Sequence, residues 1–379
     1  MDFRFDEEQE ELRASARAFL AEHSDSEAVR KAMATDLGFD SGLWRKMAGE
    51  LGWTAVHIPE ACGGLGLGQV ELAALLEIMG GALLCAPYFS SICLGANALL
   101  VAASDAQKQE YLPGIADGTR RATLAFSGEL GSNDCSAIQV TTRRDGDEIV
   151  LDGSHAFVLD GHSADWLIVA ARSRGSQGDE GVSLVLVPSD ARGLTRERRP
   201  TLDQTRRLAR IRLDGVRVPA TALLGDEGAA APALARTLQL AAVAQAAEQV
   251  GGAQRCLDLS VAYAKQRVQF GRPIGSFQAI KHKCADMMVA VESARSAAYY
   301  AACVAAEESP ELAVAASLAK AWCSDAYFEC AAQAIQIHGG VGFTWEYDVH
   351  LHFKRAKSTE TFLGDPTWHR ERVARWIGL

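Results

Sequence analysis

The chain is short of positive charge. Against 48 acidic residues it carries 38 lysines and arginines, giving a net charge of −10 and a pI near 5.5. A surface that follows a nucleic-acid backbone is normally strongly basic, so this balance argues against such a partner and leaves any phosphate binding to local basic groups. Paired cysteines are missing too. The nine cysteines show neither CxxC pairs nor histidines at ligand spacing, which disfavours a zinc site and a disulfide framework and fits a reducing, cytoplasmic setting with no bound metal. The acidic, amphipathic start MDFRFDEEQEELRASARAFL is unlike a signal or transit peptide. A membrane span needs roughly 20 uninterrupted apolar residues. The most apolar region, Leu72 to Ala103, is broken by Glu77, Pro87 and several glycines, and reads as buried helix. Repeats, low-complexity tails and linkers do not stand out.

What is present is a globular composition, 48% hydrophobic and 23% charged, on 379 residues, enough to bury two or three cores. From Phe5 to about Gly118 the apolar residues recur at helix spacing, as in Leu12, Ala16, Phe19 and Leu20, and Gly38 to Gly52 gives another amphipathic helix. The glycine run Gly63-Gly64-Leu65-Gly66-Leu67-Gly68 invites a phosphate-loop reading, but no Lys-Ser or Lys-Thr follows it. Near Arg121 the period changes. Thr123–Phe126, Ala137–Arg143, Glu148–Asp152, Trp166–Ala171, Val182–Val187 and Ala209–Leu213 read as short strands, separated by turn signals at Asp145-Gly146, Asp152-Gly153 and Asp160-Gly161. From about Asp226 the chain is helical and alanine-rich, with helices expected over Ala231–Arg267, Ser276–Ala306, Pro310–Ile337 and Pro366–Trp376. The expected fold is therefore α+β: a helical domain over 1–120, a β-barrel-like middle domain over 121–225 and a C-terminal four-helix bundle over 226–379.

The most informative stretch is AYAKQRVQFGRPIGSFQAIKHKCADM, from Ala262 to Met287. Glycines on each side of Pro273 force a sharp reversal between two helices. The corner presents Arg267, Gln269 and Phe270. A guanidinium grips phosphate in bidentate fashion and an aromatic face stacks on a flat ring, so the corner suits a ligand bearing both, although a plain helical hairpin with a solvated arginine explains it as well. A second block is Gln336-Ile337-His338-Gly339-Gly340-Val341-Gly342-Phe343-Thr344, followed by Trp345-Glu346.

Together these blocks resemble the acyl-CoA dehydrogenase family, flavoproteins that introduce an α,β double bond into acyl-CoA thioesters. The likeness runs from Phe5-Asp6-Glu7-Glu8-Gln9 to the helix holding Arg370-Glu371-Arg372. It implies FAD as cofactor, an acyl-CoA substrate, an electron-transfer flavoprotein as acceptor and a tetramer of like or related chains. It places Arg267, Gln269 and Phe270 at the pyrophosphate and adenine end of the FAD, with Gln336, Gly339 and Gly340 on a loop whose backbone approaches the dinucleotide. In the family those groups serve the flavin of a neighbouring subunit. A glycine lacking Cβ lets backbone N–H groups approach phosphate. The glycine-rich loop at Gly63 to Gly68 would precede a helix beside the acyl cavity.

The chemistry needs a carboxylate for the α proton, facing the flavin across the acyl chain. The family's usual base is a glutamate in Tyr-Glu-Gly-Thr, where this chain has Phe362-Leu363-Gly364-Asp365. The minority position, on the preceding long helix, matches Ala241, with Ala242 where an arginine often stands. Two carboxylates remain as candidates. Glu248 lies seven residues beyond Ala241, two turns on and on almost the same face, among small apolar neighbours that would raise its pKa; the alternative is a structural glutamate pairing within the bundle, for instance with Arg255. Asp365 is two residues past the usual base, but Asp-Pro starts helices, which explains it without chemistry. The flavin-ring contacts are altered as well. The family's Thr-Glu-Pro-x-x-Gly-Ser-Asp loop reads Ser127-Gly128-Glu129-Leu130-Gly131-Ser132-Asn133-Asp134, and its Trp-Ile-Thr segment reads Phe157-Val158-Leu159, so Ser127 and Phe157 are the remaining ring contacts and Leu159 offers no hydroxyl.

Retained groups for a neighbour's flavin and eroded groups for its own resemble the non-catalytic member of paired α2β2 acyl-CoA dehydrogenases of actinobacterial steroid and bulky-acyl degradation. Two other readings stand beside that one: a homomeric enzyme using Glu248 or Asp365, and a redox-inactive scaffolding subunit of the same fold.

Overall fold

The computed structural model describes residues 6–129, 131–132 and 134–379. Phe5 of the N-terminal stretch, and Leu130 and Asn133 of the loop after Ser127, lie outside the described residues. In chain order the helices α1 (Glu7–His23), α2 (Ser26–Ala34), α3 (Ser41–Arg45), α4 (Gln69–Gly81), α5 (Asn97–Ala102) and α6 (Asp105–Ala116) come first. Strands β1 (Ala122–Ala125), β2 (Thr141–Asp145), β3 (Glu148–Leu159), β4 (Trp166–Ser173), β5 (Val182–Pro188), β6 (Leu194–Arg199), β7 (Leu208–Pro219) and β8 (Leu223–Leu224) follow. Then come α7 (Ala231–Gln266), the short strands β9 (Val268–Gln269) and β10 (Arg272–Pro273), and α8 (Gln278–Ala306), α9 (Leu312–His338), α10 (Val349–Thr361) and α11 (Pro366–Trp376). The α+β class, with helices flanking a β middle region, is as the sequence implies.

The chain divides into two compact units. The first comprises 1–31, 68–84 and 242–379. It begins with a capping box at α1, where Asp6 Oδ1 accepts from the Gln9 backbone N–H at 2.8 Å and Gln9 Oε1 accepts from the Asp6 N–H at 3.1 Å; two orphan donors of the first turn are thereby satisfied. α4 packs on α7 through glycines: a Cβ on Gly80 would strike the Glu248 carbonyl, and one on Gly251 the Glu77 carbonyl. Tyr327 of α9 lies on Gly252 in the same way. Gly251 and Gly252, just past Glu248, are therefore small because helices approach closely there.

The second unit comprises 32–67 and 85–241. Its sheet runs β6-β7-β3-β2-β4-β5-β8, with β1 added parallel to β4. Val169, Val185, Leu151, Ile211 and Val216 fill its core.

Four expectations need correction. Asp152-Gly153 is no turn: β3 continues through it to Leu159, and Gly153, at φ 133°, sits at a bulge in the β3–β7 register. An extended residue in that left-handed range favours glycine. β6, Leu-Thr-Arg-Glu-Arg-Arg, is an edge strand whose charges hid it from hydrophobic patterning. The region from Leu72 to Ala103 is two helical stretches rather than one, since the chain leaves α4 after Gly81, passes Leu83 at φ 49° and Pro87, and resumes at Phe89. The C-terminal region holds α10 in addition to the four expected helices. Among the described residues no helix is long and apolar enough to cross a membrane.

Candidate active site

In the first unit, β9 and β10 pair as a two-residue hairpin whose turn is Phe270-Gly271, at φ 54° and 76°. Positive φ at both positions matches the hairpin twist and is costly for a non-glycine, so Phe270 is held there by the turn. The residue is 91% exposed, with the Phe277 ring edge-on to its own at 6.1 Å. Arg267 is exposed just before the hairpin, and its side chain makes no ion pair among the described residues. Gln269 is exposed, and its side-chain amide donates to the Val268 carbonyl at 2.9 Å. The second block is brought to the same end of the bundle: Tyr263, one turn before Arg267, stacks on His338 at 4.3 Å, and Tyr347 closes edge-on against both. Gln336, Gly339 and Gly340 are exposed beside that stack, and a Cβ on either glycine would meet nothing within 4 Å.

Leu363 sits 4% exposed at φ 63°. Its carbonyl accepts from His369 Nε2 at 3.0 Å, and the next carbonyl, of Gly364, accepts from the buried Nζ of Lys320 at 3.0 Å. Lys320 also donates to Ser324 Oγ and to the Glu360 carbonyl. The turn before α11 is thus fixed in a strained conformation from two helices, with a hydrocarbon side chain at its apex.

Glu248 is buried, and each of its oxygens has a donor: Arg355 Nη1 at 2.7 Å on Oε1 and Gln245 Nε2 at 2.7 Å on Oε2. Its ion-pair partner is Arg355 of α10, not Arg255; Arg255 is exposed instead. Asp365 is exposed and caps α11, its Oδ1 accepting from the Trp368 N–H at 2.8 Å with Pro366 at N1. A cavity of about 650 Å³ in this unit is lined by Glu77, Gln254, Arg255, Arg295 and His352 among others, and includes none of the site residues singled out from the sequence.

In the second unit, Ser127 and Phe157 are brought together. The Ser127 hydroxyl is buried and donates to the Ala156 carbonyl. Phe157 follows at φ 56°, 46% exposed, with its ring against Gly131. A side chain at Gly128 would strike the Ala137 carbonyl, so the glutamate of the family loop has no room there. Glu129 is tied to Arg210 at 2.5 Å and to Ser154 at 2.7 Å, and Leu159 is buried. Three groups that sequence reasoning missed are Arg355, Lys320 and His155. Arg355 lies in the run Lys354-Arg355-Ala356-Lys357, which reads as a solvated face, and Lys320 and His155 carry no motif.

Profiles of the acyl-CoA dehydrogenase N-terminal, middle and C-terminal domains match residues 6–119, 123–216 and 231–378. Acyl-CoA dehydrogenase IpdE2 of Mycolicibacterium smegmatis is 37% identical over 370 residues, 97% of each chain. Among solved structures, a variant of the Tcur3481–Tcur3483 steroid ACAD is 32% identical over 98% of each chain with a TM-score of 0.88. The ChsE4–ChsE5 complex from Mycobacterium tuberculosis is 29% identical over 100% of this chain and 99% of its own, with a TM-score of 0.90. The chain belongs to the acyl-CoA dehydrogenase family, and within it to the oxidoreductases that family comprises.

Proposed function

We propose that this chain is one subunit of a heteromeric, FAD-dependent acyl-CoA dehydrogenase that acts on a bulky or steroid-like acyl-CoA. The observation that carries the proposal is Leu363: the turn on which the family carries its base is built and braced here, yet bears a side chain that accepts no proton. Glu248, with both oxygens engaged by Arg355 and Gln245, and Asp365, with its Oδ1 in a helix cap, give little support to a base elsewhere in this chain. The solved steroid ACAD and ChsE4–ChsE5 assemblies, similar over nearly their full length, support a two-chain enzyme and a large acyl group.

The residues fit FAD unequally. Exposed Arg267, unpaired among the described residues, would meet pyrophosphate, with Gln269 and Phe270 toward the adenine end, and the loop of Gln336, Gly339 and Gly340 would bring its backbone to the dinucleotide, a Cβ on either glycine meeting nothing within 4 Å. At the ring end Ser127 has already spent its hydrogen on Ala156, and Leu159 donates nothing, so only Phe157 offers an exposed face. Bound FAD supplies the hydride acceptor for the substrate's β hydrogen. In this reading the chain's own part is to grip the dinucleotide of a flavin whose ring contacts and proton-accepting carboxylate come from a related partner. An electron-transfer flavoprotein as acceptor, the cytoplasm as compartment, a tetrameric assembly and domains over 1–120, 121–225 and 226–379 belong to the same proposal.

The test is the visible absorption spectrum of the chain purified alone and co-purified with a related dehydrogenase subunit. The proposal expects a colourless chain that becomes yellow, and bleaches with acyl-CoA, only in the pair. A lone chain that is yellow and is bleached by acyl-CoA would overturn it in favour of a homomeric enzyme. A chain colourless with every related subunit would point to scaffolding.

A further inference from the structure

His155 is fully buried on β3. Its Nδ1 lies 2.9 Å from the Ser127 carbonyl oxygen, and its Nε2 lies 2.8 Å from the Ala170 carbonyl oxygen on β4. Both partners are acceptors. A neutral imidazole carries a single N–H and presents a lone pair on its other nitrogen, so it satisfies one carbonyl and opposes the other. An imidazolium satisfies both. In a dry core the difference matters, because a lone pair set against a carbonyl oxygen at hydrogen-bond distance puts two acceptors in contact where the imidazolium makes a hydrogen bond.

The geometry points to His155 as a positioning residue that ties the Ser127 loop to β4 only while its ring carries two protons. This loop supplies Ser127, and the strand continues from His155 through Ala156, which accepts the Ser127 hydroxyl, to Phe157. The ring therefore holds the Ser127 carbonyl directly and stands two residues before Phe157 on the same strand, so its tie bears on the two residues that this chain retains near the proposed flavin ring. That functional part rests on the reading given under Proposed function, whereas the protonation state does not.

Burial pushes the His155 pKa below its ordinary value, and the Ser127 and Ala170 carbonyls, followed by Glu129, oppose that push. Glu129 is the charged group acting on the ring from the loop after β1, and it is itself neutralised by Arg210 of β7. From β7 the residue opposite His155 is the apolar Ile211, and the neighbours of Ala170 on β4 are Val169 and Ala171. The doubly held state is accordingly the acid form, and the loop loses one of its two ties as pH rises through a value below 6.5.

The experiment is a pH titration of the full chain, without flavin, with ¹⁵N-labelled histidine rings and backbone, read by NMR from pH 4.5 to 8 and assigned by comparison with His155→Gln. The expected result is two protonated ring nitrogens at the acid end, one at the basic end, and amide shifts of Gly128 and Ala156 that move with the same midpoint. A single bare nitrogen throughout, or a titration that leaves those amides unmoved, overturns the proposal. His155→Lys, a cation with several donors, is expected to keep the acid-form amide positions up to pH 8, and in the paired complex to retain flavin that His155→Gln holds roughly tenfold more weakly, about the worth of one charge-assisted hydrogen bond. A lysine variant that behaves like the glutamine variant also overturns it. Because the titration needs no flavin, a complex that never turns yellow would reject the dehydrogenase-subunit reading while leaving the His155 result intact.

Discussion

The guanidinium of Arg355 and the carboxylate of Glu248 meet at 2.7 Å across 107 residues of chain, both side chains no more than 5% exposed. Burying two charges costs several kcal/mol each, which their attraction offsets only when the geometry is good and the remaining hydrogen-bond capacity is filled. Gln245 fills part of it here.

The first prediction follows from that pair. Glu248→Gln should destabilise the chain by about 3 kcal/mol, because the buried Arg355 guanidinium would lose its 2.7 Å ion pair with Glu248. Glu248→Leu combined with Arg355→Met should recover most of the loss. Chemical denaturation of the single and double variants checks this. A Glu248→Gln variant of unchanged stability that loses all turnover as a homomer would instead make Glu248 a base.

Arg267→Ala tests the dinucleotide end. Arg267 is exposed and unpaired among the described residues, so its removal should leave stability within about 0.5 kcal/mol. In the paired complex it removes a charge-assisted phosphate contact worth about 1.5 to 3 kcal/mol, roughly ten- to a hundredfold in flavin affinity. Flavin content after gel filtration is the measurement, and full retention would contradict the assignment.

Acid should weaken the fold through its buried histidines. Burial pushes His352 and His369 to about 3 and His57 to about 4. Their folded values lie below the unfolded value of about 6.5, so between those limits the unfolded chain binds more protons. The stability they contribute is complete above pH 6.5 and is lost as pH falls toward 4. Thermal melts from pH 7 to 4.5 should show a falling Tm, and His352→Gln should flatten the slope, with Gln keeping a partner for the Tyr327 hydroxyl that lies 3.0 Å from His352 Nδ1.

Lys320 should act at the other end of the pH scale. Burial lowers its pKa from 10.5 to about 7. Between those values the unfolded chain again binds more protons, so stability should rise from pH 7 to 9 with a slope approaching about 1.4 kcal/mol per unit. Lys320→Met should abolish the slope. It should also loosen the Leu363 turn, since Gly364 and Glu360 would each lose a donor; faster amide exchange at Gly364 would report that.

Features written over a few neighbouring residues are legible in the chain before it folds. The helical flanks, the strand-rich middle, the reversal at Phe270-Gly271 and the Asp365-Pro366 helix start depend on periodicity, capping and turn chemistry, which act over one or two turns of chain. The chain also fixes the chemistry that Leu363 and Ala241 cannot perform. Long-range packing settles that Glu248 faces Arg355 rather than Arg255, that Lys320 and His369 brace the Leu363 turn, and that Ser127 gives its hydrogen to Ala156. β6 and α10 were hidden for the same reason, since one is a charged edge strand and the other is crowded with lysine, arginine and histidine. In each case the deciding partner lies far along the chain or the element's stability comes from packing, and a side chain's role is set by which donor or acceptor the fold places within about 3 Å of it.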